Sequence, residues 1–255
     1  LAIAGATTMS ASGQDITLDD SASTFGTLAL TGVNVAVTEN AATDLGASTV
    51  SGTLGITSAG AVTDSGTLTI TGATTISASG QDITLDESAS TFGTLALTGA
   101  NVAVTDAGAV DLGASTVSGT LGITSAGAVT DSGTLAILGT TSISASGQDI
   151  TFDQVASTFG TLALTGANVA VTENAATDLG ASTISGTFGI TSGGAITDSG
   201  TQAITGDATF TNTAGTDDAI TLDDASNAFS GTVTFAADSG SAVTIVDTTA
   251  LDLVA

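Results

Sequence analysis

The feature that most limits what this chain can become is a long internal repeat. Gln14-Asp15 returns as Gln81-Asp82 and Gln148-Asp149, an interval of 67 positions each time (81 − 14 = 148 − 81 = 67). Phe25, Phe92 and Phe159 keep that interval, as do Met9, Ile76, Ile143 and Phe210. Around these markers the string SGQDITLDDSASTFGTLALTG (Ser12–Gly32) recurs as SGQDITLDESASTFGTLALTG and SGQDITFDQVASTFGTLALTG. A fourth, divergent copy carries DDAITLDD at Asp217–Asp224 and Asn227-Ala228-Phe229 in place of Ser-Thr-Phe. Fixed-period self-similarity is the signature of stacked architectures, in which one unit cannot bury its apolar face alone. We read units of about 9–75, 76–142, 143–209 and a divergent 210–255, forming one continuous segment (1–255) of a longer protein.

Within each unit the pattern is that of strands. GTLALTG, GTLGITS and GTLTITG alternate apolar and polar residues, and Gly, Ser and Asn punctuate the runs. Helical spacing is nowhere sustained. Thr, Val and Ile favour strands, and the chain has no proline to interrupt a hydrogen-bonded ladder. Short strands with a regularly recurring turn predict an all-β fold, a parallel β-helix or β-solenoid with about three coils per repeat. Ile, Leu, Val and the recurrent Phe then stack inside, coil upon coil. An outer-membrane barrel would need aromatic girdles, and the sequence has eight Phe but no Tyr or Trp. An array of β-sandwiches, one per repeat, fits the alternation too, but the near-verbatim copies favour the solenoid.

Composition constrains the partners. Twenty-five Asp and Glu face no Lys, Arg or His, for a formal charge of −25. No internal salt bridge is possible beyond the α-amino group. Nucleic acid and anionic membrane surfaces are recognised through Lys and Arg, so neither is an expected partner. No apolar run approaches the ~20 residues of a membrane helix, and no membrane insertion is expected. The hydrophobic content of 42% argues against disorder. The absence of Cys removes disulfides and thiolate zinc sites.

The strongest periodic polar feature is an acid closing each alternating strand: Asp19, Glu39, Asp64, Asp86, Asp106, Asp131, Asp153, Glu173, Asp198, Asp223 and Asp247. If coils stack in the register of these acids, they form one column. Carboxylates ~4.8 Å apart repel, so such a column faces solvent or binds cations, and oxygen-only ligands would select calcium. The alternative is a row of solvated turn residues. No calcium-loop motif is present, and no other cofactor is expected.

Enzymatic activity is not expected. Neighbouring Asp19 and Asp20 point to opposite faces of a strand, whereas an acid couple must face one bond. The third copy replaces the second acid with Gln154, and no basic residue exists to shuttle protons. Ice binding by Thr-x-Thr runs such as TLTIT (Thr67–Thr71) is a further reading, weakened because TLALT and TLGIT lose one Thr.

The stretch GTLALTGVNVAVTENAATDLGASTVSGTLGITSAGAVTDSGTLTITG (Gly26–Gly72), with AITLDDASNAFSGTVTF and TIVDTTALDL of the fourth copy, resembles the repeat region of filamentous-haemagglutinin-like exoproteins. The resemblance implies a right-handed parallel β-helix, secreted through a partner outer-membrane pore and displayed on a bacterial surface. It implies adhesion or filament formation: a rigid stalk, or an extracellular fibre or sheath built by self-association or with other surface components. A calcium- or ice-binding repeat module is the remaining alternative.

Overall fold

The structure, a computed structural model, describes residues 1–213, 218–237 and 240–254. Asp217, which opens DDAITLDD, lies outside them. Every regular element is a β-strand, and among the described residues there is no helix. The chain divides into two compact units, Leu1–Ala126 and Gly127–Ala255. Each unit is a β-solenoid of parallel strands.

In the first unit, Ile16 pairs with Val35, Val35 with Leu54, Leu54 with Thr74, and Thr74 with Leu95. A second ladder runs Thr43, Val62, Ile83, Val102, Leu121. A third joins Ser48 to Leu68 and Thr69 to Thr91. The second unit repeats the scheme, with Ile150, Val169, Phe188, Ala208 and Val233 on one ladder. Thr177, Ile196, Ile220 and Val243 lie on another. Alternate residues point inward, as in Thr27–Gly32, whose Leu28, Leu30 and Gly32 are buried. The interior is a stack of Ile, Leu, Val and Phe, and Phe25, Phe92 and Phe159 are all inside.

From Ile16 to Val35, Leu54, Thr74 and Leu95, one turn of the first ladder advances the chain by 19, 19, 20 and 21 positions. Ile83–Leu85 is the tenth strand after its equivalent Ile16–Leu18, and each coil has three. One repeat is therefore three and a third coils. Ile16 and Ile83 occupy the same place in the repeat but different ladders. In the second unit Ile150 and Ile220 differ in the same way. Each copy is turned by one face relative to the last.

This advance requires one ladder to stop and another to divide. Thr24–Phe25 rests on Ala2–Ile3, but among the described strands none is laid over it. The adjoining strand Thr27–Gly32 instead carries two strands: Thr27 and Leu28 pair with Asp44 and Leu45, Thr31 and Gly32 with Thr49 and Val50. Thr94–Gly99 divides identically onto Asp111, Leu112, Thr116 and Val117. In the second unit Thr158–Gly166 does the same over Asp178, Leu179, Thr183 and Ile184.

Corners are set by glycine where coils touch backbone to backbone. The Gly72 N–H donates to Gly52 O at 3.0 Å, and a Cβ on Gly72 would lie 2.4 Å from that oxygen. In the second unit a Cβ on Gly206 would lie at the same 2.4 Å from Gly186 O.

Candidate functional site

The periodic acids do not form one column. Register places Glu39 beside Ser58, Asp64 beside Leu45 and Asp106 beside Ser125. In the second unit Glu173 stands beside Ser192 and Asp198 beside Leu179. The expectation failed because the steps from Asp19 to Glu39, Asp64 and Asp86 do not match the turn of a coil, which brings Ile16 onto Val35 and Val35 onto Leu54. The acids fall into three roles, each repeated from copy to copy.

The first role is to end a stopped ladder. Where no strand covers Thr24–Phe25, the Phe25 N–H donates to Glu39 Oε1 at 2.6 Å. Phe92 donates to Asp106 Oδ2 at 3.1 Å, Phe159 to Glu173 Oε2 at 3.2 Å, and Phe229 to Asp247 Oδ1 at 3.0 Å. A carboxylate oxygen thus takes the place of the missing strand's carbonyl, and an inward backbone donor is not left orphaned. Glu39, Asp106 and Glu173 are buried.

The second role belongs to Asp64, Asp131 and Asp198. Each receives the backbone N–H of an acid one coil on: Asp86, Asp153 and Asp223, all at 2.9 Å. Asp64 and Asp131 are buried at inward positions. The third role is that of Asp19, Asp86, Asp153 and Asp223 themselves, which stand at the surface where a strand gives way to a turn. Asp20 closes that turn by accepting the Ala22 N–H at 3.0 Å.

Burial sets the electrostatics. It pushes the Glu173 carboxyl up to about 7, against the lowering effect of Thr177 Oγ1 and the Phe159 N–H. Burial likewise raises Asp64, Asp106 and Asp131, in each case opposed by backbone donors. At Asp247 burial acts upward too, but the N–H groups of Phe229 and Thr249 and the Thr249 hydroxyl outweigh it and hold the acid low.

Sequence reasoning missed a second set of polar residues. Asp15 Oδ1 accepts both the N–H and the Nδ2 of Asn34, whose Oδ1 accepts the N–H and Oγ1 of Thr53. Asp82, Asn101 and Thr120 repeat this chain, as do Asp149, Asn168 and Thr187. Asp44, Asp111 and Asp178 accept from Thr27, Thr94 and Thr161. The hydroxyls of Ser48, Ser115 and Ser182 accept from Leu30, Leu97 and Leu164. A signal was available. In STV the alternation puts Ser inward with Val, and a polar residue at an apolar phase in every copy marks a buried hydrogen bond.

The arrangement can therefore accept and donate hydrogen bonds from coil to coil. Among the described residues no three acids are grouped so as to hold a metal ion. On the outer face Ala36 and Gly55 leave a shallow depression between Thr17 and Thr75.

The fold and these recurrent bonds define a repeat protein of the β-solenoid class. The chain matches the family described as repeats of unknown function (DUF5649) over residues 1–31, 32–98, 99–165 and 166–236, and it belongs to that family. Successive matches begin at positions 32, 99 and 166, the same interval as the sequence markers. No curated protein and no solved structure matches the chain.

Proposed function

We propose that this chain is a structural spacer: a segment of the rigid stalk or filament of a secreted, adhesin-like protein displayed on a bacterial surface. The observation that carries this reading is the destination of the recurrent polar side chains. In copy after copy, Asp15, Asn34, Asp44, Ser48 and Glu39 and their equivalents bond to the neighbouring coil. What the repeat copies is a stacking device, so adding a copy adds length. The likeness to filamentous-haemagglutinin repeats supports display outside the cell, and its partners on this reading are further copies or other surface components. The role is mechanical and not catalytic.

The test is to insert one and two further copies of residues 76–142 and measure the maximum dimension by small-angle scattering. Three and a third coils at ~4.8 Å each predict growth of about 16 Å per copy. Growth in thickness with no growth in length would overturn the spacer reading.

A further inference from the structure

Five buried carboxyls sit where the fold offers no positive partner. Glu39, Asp64 and Asp106 lie in the first unit, Asp131 and Glu173 in the second. Each holds a coil junction through one oxygen, as described above. The other oxygen of Glu39, Asp64 and Asp131 is buried and has no hydrogen-bond donor. Burying an ionised carboxylate with a dry, unmatched oxygen costs far more than burying the neutral acid.

The charged groups that face them are all acids. Asp64 meets Asp86 and Glu87, and Asp131 meets Asp153. The strand Val102–Asp106 packs between Leu121–Ser125, which offers Ser125, and Ile83–Leu85, which leads into Asp86 and Glu87. Val35–Glu39 lies between Leu54–Ser58 and Ile16–Leu18, which leads into Asp19 and Asp20. Val169–Glu173 lies between Phe188–Ser192 and Ile150–Phe152, which leads into Asp153. The chain contributes no basic side chain anywhere.

We propose that four of these coil-junction carboxyls, Asp64, Asp106, Asp131 and Glu173, are proton-binding elements, so that folding takes up protons and mild acid locks the ladder ends. Neutralising Asp106 and Glu173 removes charge from positions where ladders stop. Alkaline conditions recharge them and loosen those junctions first. The direction follows from linkage. Glu173 titrates at about 7 when folded against 4.5 for the free side chain, so between those values the folded state holds more protons than the unfolded. The contribution of Glu173 to stability is therefore fully present below about 4.5 and is lost as pH rises through about 7. Glu173 alone lowers the folding constant by up to about 300-fold across that window.

The experiment is urea unfolding followed by circular dichroism from mildly acidic to mildly alkaline pH, in high salt to screen the general surface repulsion. The expected result is a folding constant that falls as pH rises, with a shallower fall in Glu173→Gln and an unchanged one in Asp20→Asn, a surface control. Should the Gln variant not fold, two measurements on the unaltered protein decide. Calorimetric refolding in two buffers of different ionisation heat should report net proton uptake near neutrality, and infrared spectra should show a protonated carboxyl band in the folded state only. A folding constant that is flat or rises with pH, zero proton uptake, or no such band would overturn the proposal.

Discussion

Replacing Gly72 by Val is expected to remove at least about 3 kcal/mol of stability, a large part of what a typical domain has. The reason is space. A Cβ at this position would stand 2.4 Å from Gly52 O and 2.7 Å from Gly52 C. Both are backbone atoms, so no rotamer change relieves the clash and the two coils must part. Gly93 in turn would press its own Cβ to 2.5 Å from Gly72 O, so the corner is a stack of glycines in which each depends on the next. Gly55 is the contrasting case. Its Cβ would meet nothing closer than Val35 O at 3.8 Å, and Gly55→Ala should change stability by less than about 1 kcal/mol. Urea midpoints read by circular dichroism check both. Equal midpoints for Gly72→Val and the parent would show that the coils are not packed this closely.

Phe210→Ala is the second large effect, expected at about 3–5 kcal/mol. Phe210 is fully buried and lies in register between Ile190 and Phe235. Its ring meets Phe188 edge-on at 5.8 Å and Phe229 edge-on at 6.1 Å, and stacks on Phe235 at 5.7 Å. Removing it leaves a cavity and dissolves three aromatic pairs, each worth roughly 0.5–1.5 kcal/mol beyond burial. In a linear repeat the damage is local, because each coil is supported only by its neighbours. Hydrogen exchange should therefore accelerate between Phe188 and Phe235 before it does around Phe152, whose ring stacks on Phe159 at 5.6 Å. Uniform acceleration across the second unit would contradict that locality.

The strands were legible in the sequence because alternation is a local property. TLALTG reads as a strand with Leu inward, and Thr27–Gly32 is such a strand. The recurrent Phe read as core and is core. Coil length was not legible, because the acids offered a false ruler. Asp19 and Glu39 close strands of one ladder, but Asp64 closes a strand of another, so their spacing mixes along-coil and between-coil distances. Only pairing shows that Val35 lies on Ile16 and Leu54 on Val35. A carboxylate at a strand end looks like a solvated turn residue until the ladder is seen to stop there. The burial of Glu39, Asp106 and Glu173 follows from that stop, and no local pattern encodes it. The Asp15–Asn34–Thr53 chain was hidden for a related reason. Each member bonds to the next across one turn of the coil, and the repeat is not a whole number of turns.

The coil is shorter than a third of the repeat, so each copy advances by three and a third turns. The chain has no native cysteine, which makes disulfide trapping direct. Thr17 and Ala36 are exposed register partners in neighbouring coils. The double variant Thr17→Cys/Ala36→Cys should form an intramolecular disulfide readily under mild oxidation, at the spacing of adjacent strands. A repeat of three equal coils would instead bring Thr17 level with Glu39, and Thr17→Cys/Glu39→Cys should fail to close because Glu39 is turned inward beside Ser58. Rapid closure of the Thr17–Glu39 pair with none between Thr17 and Ala36 would contradict the register and the account built on it.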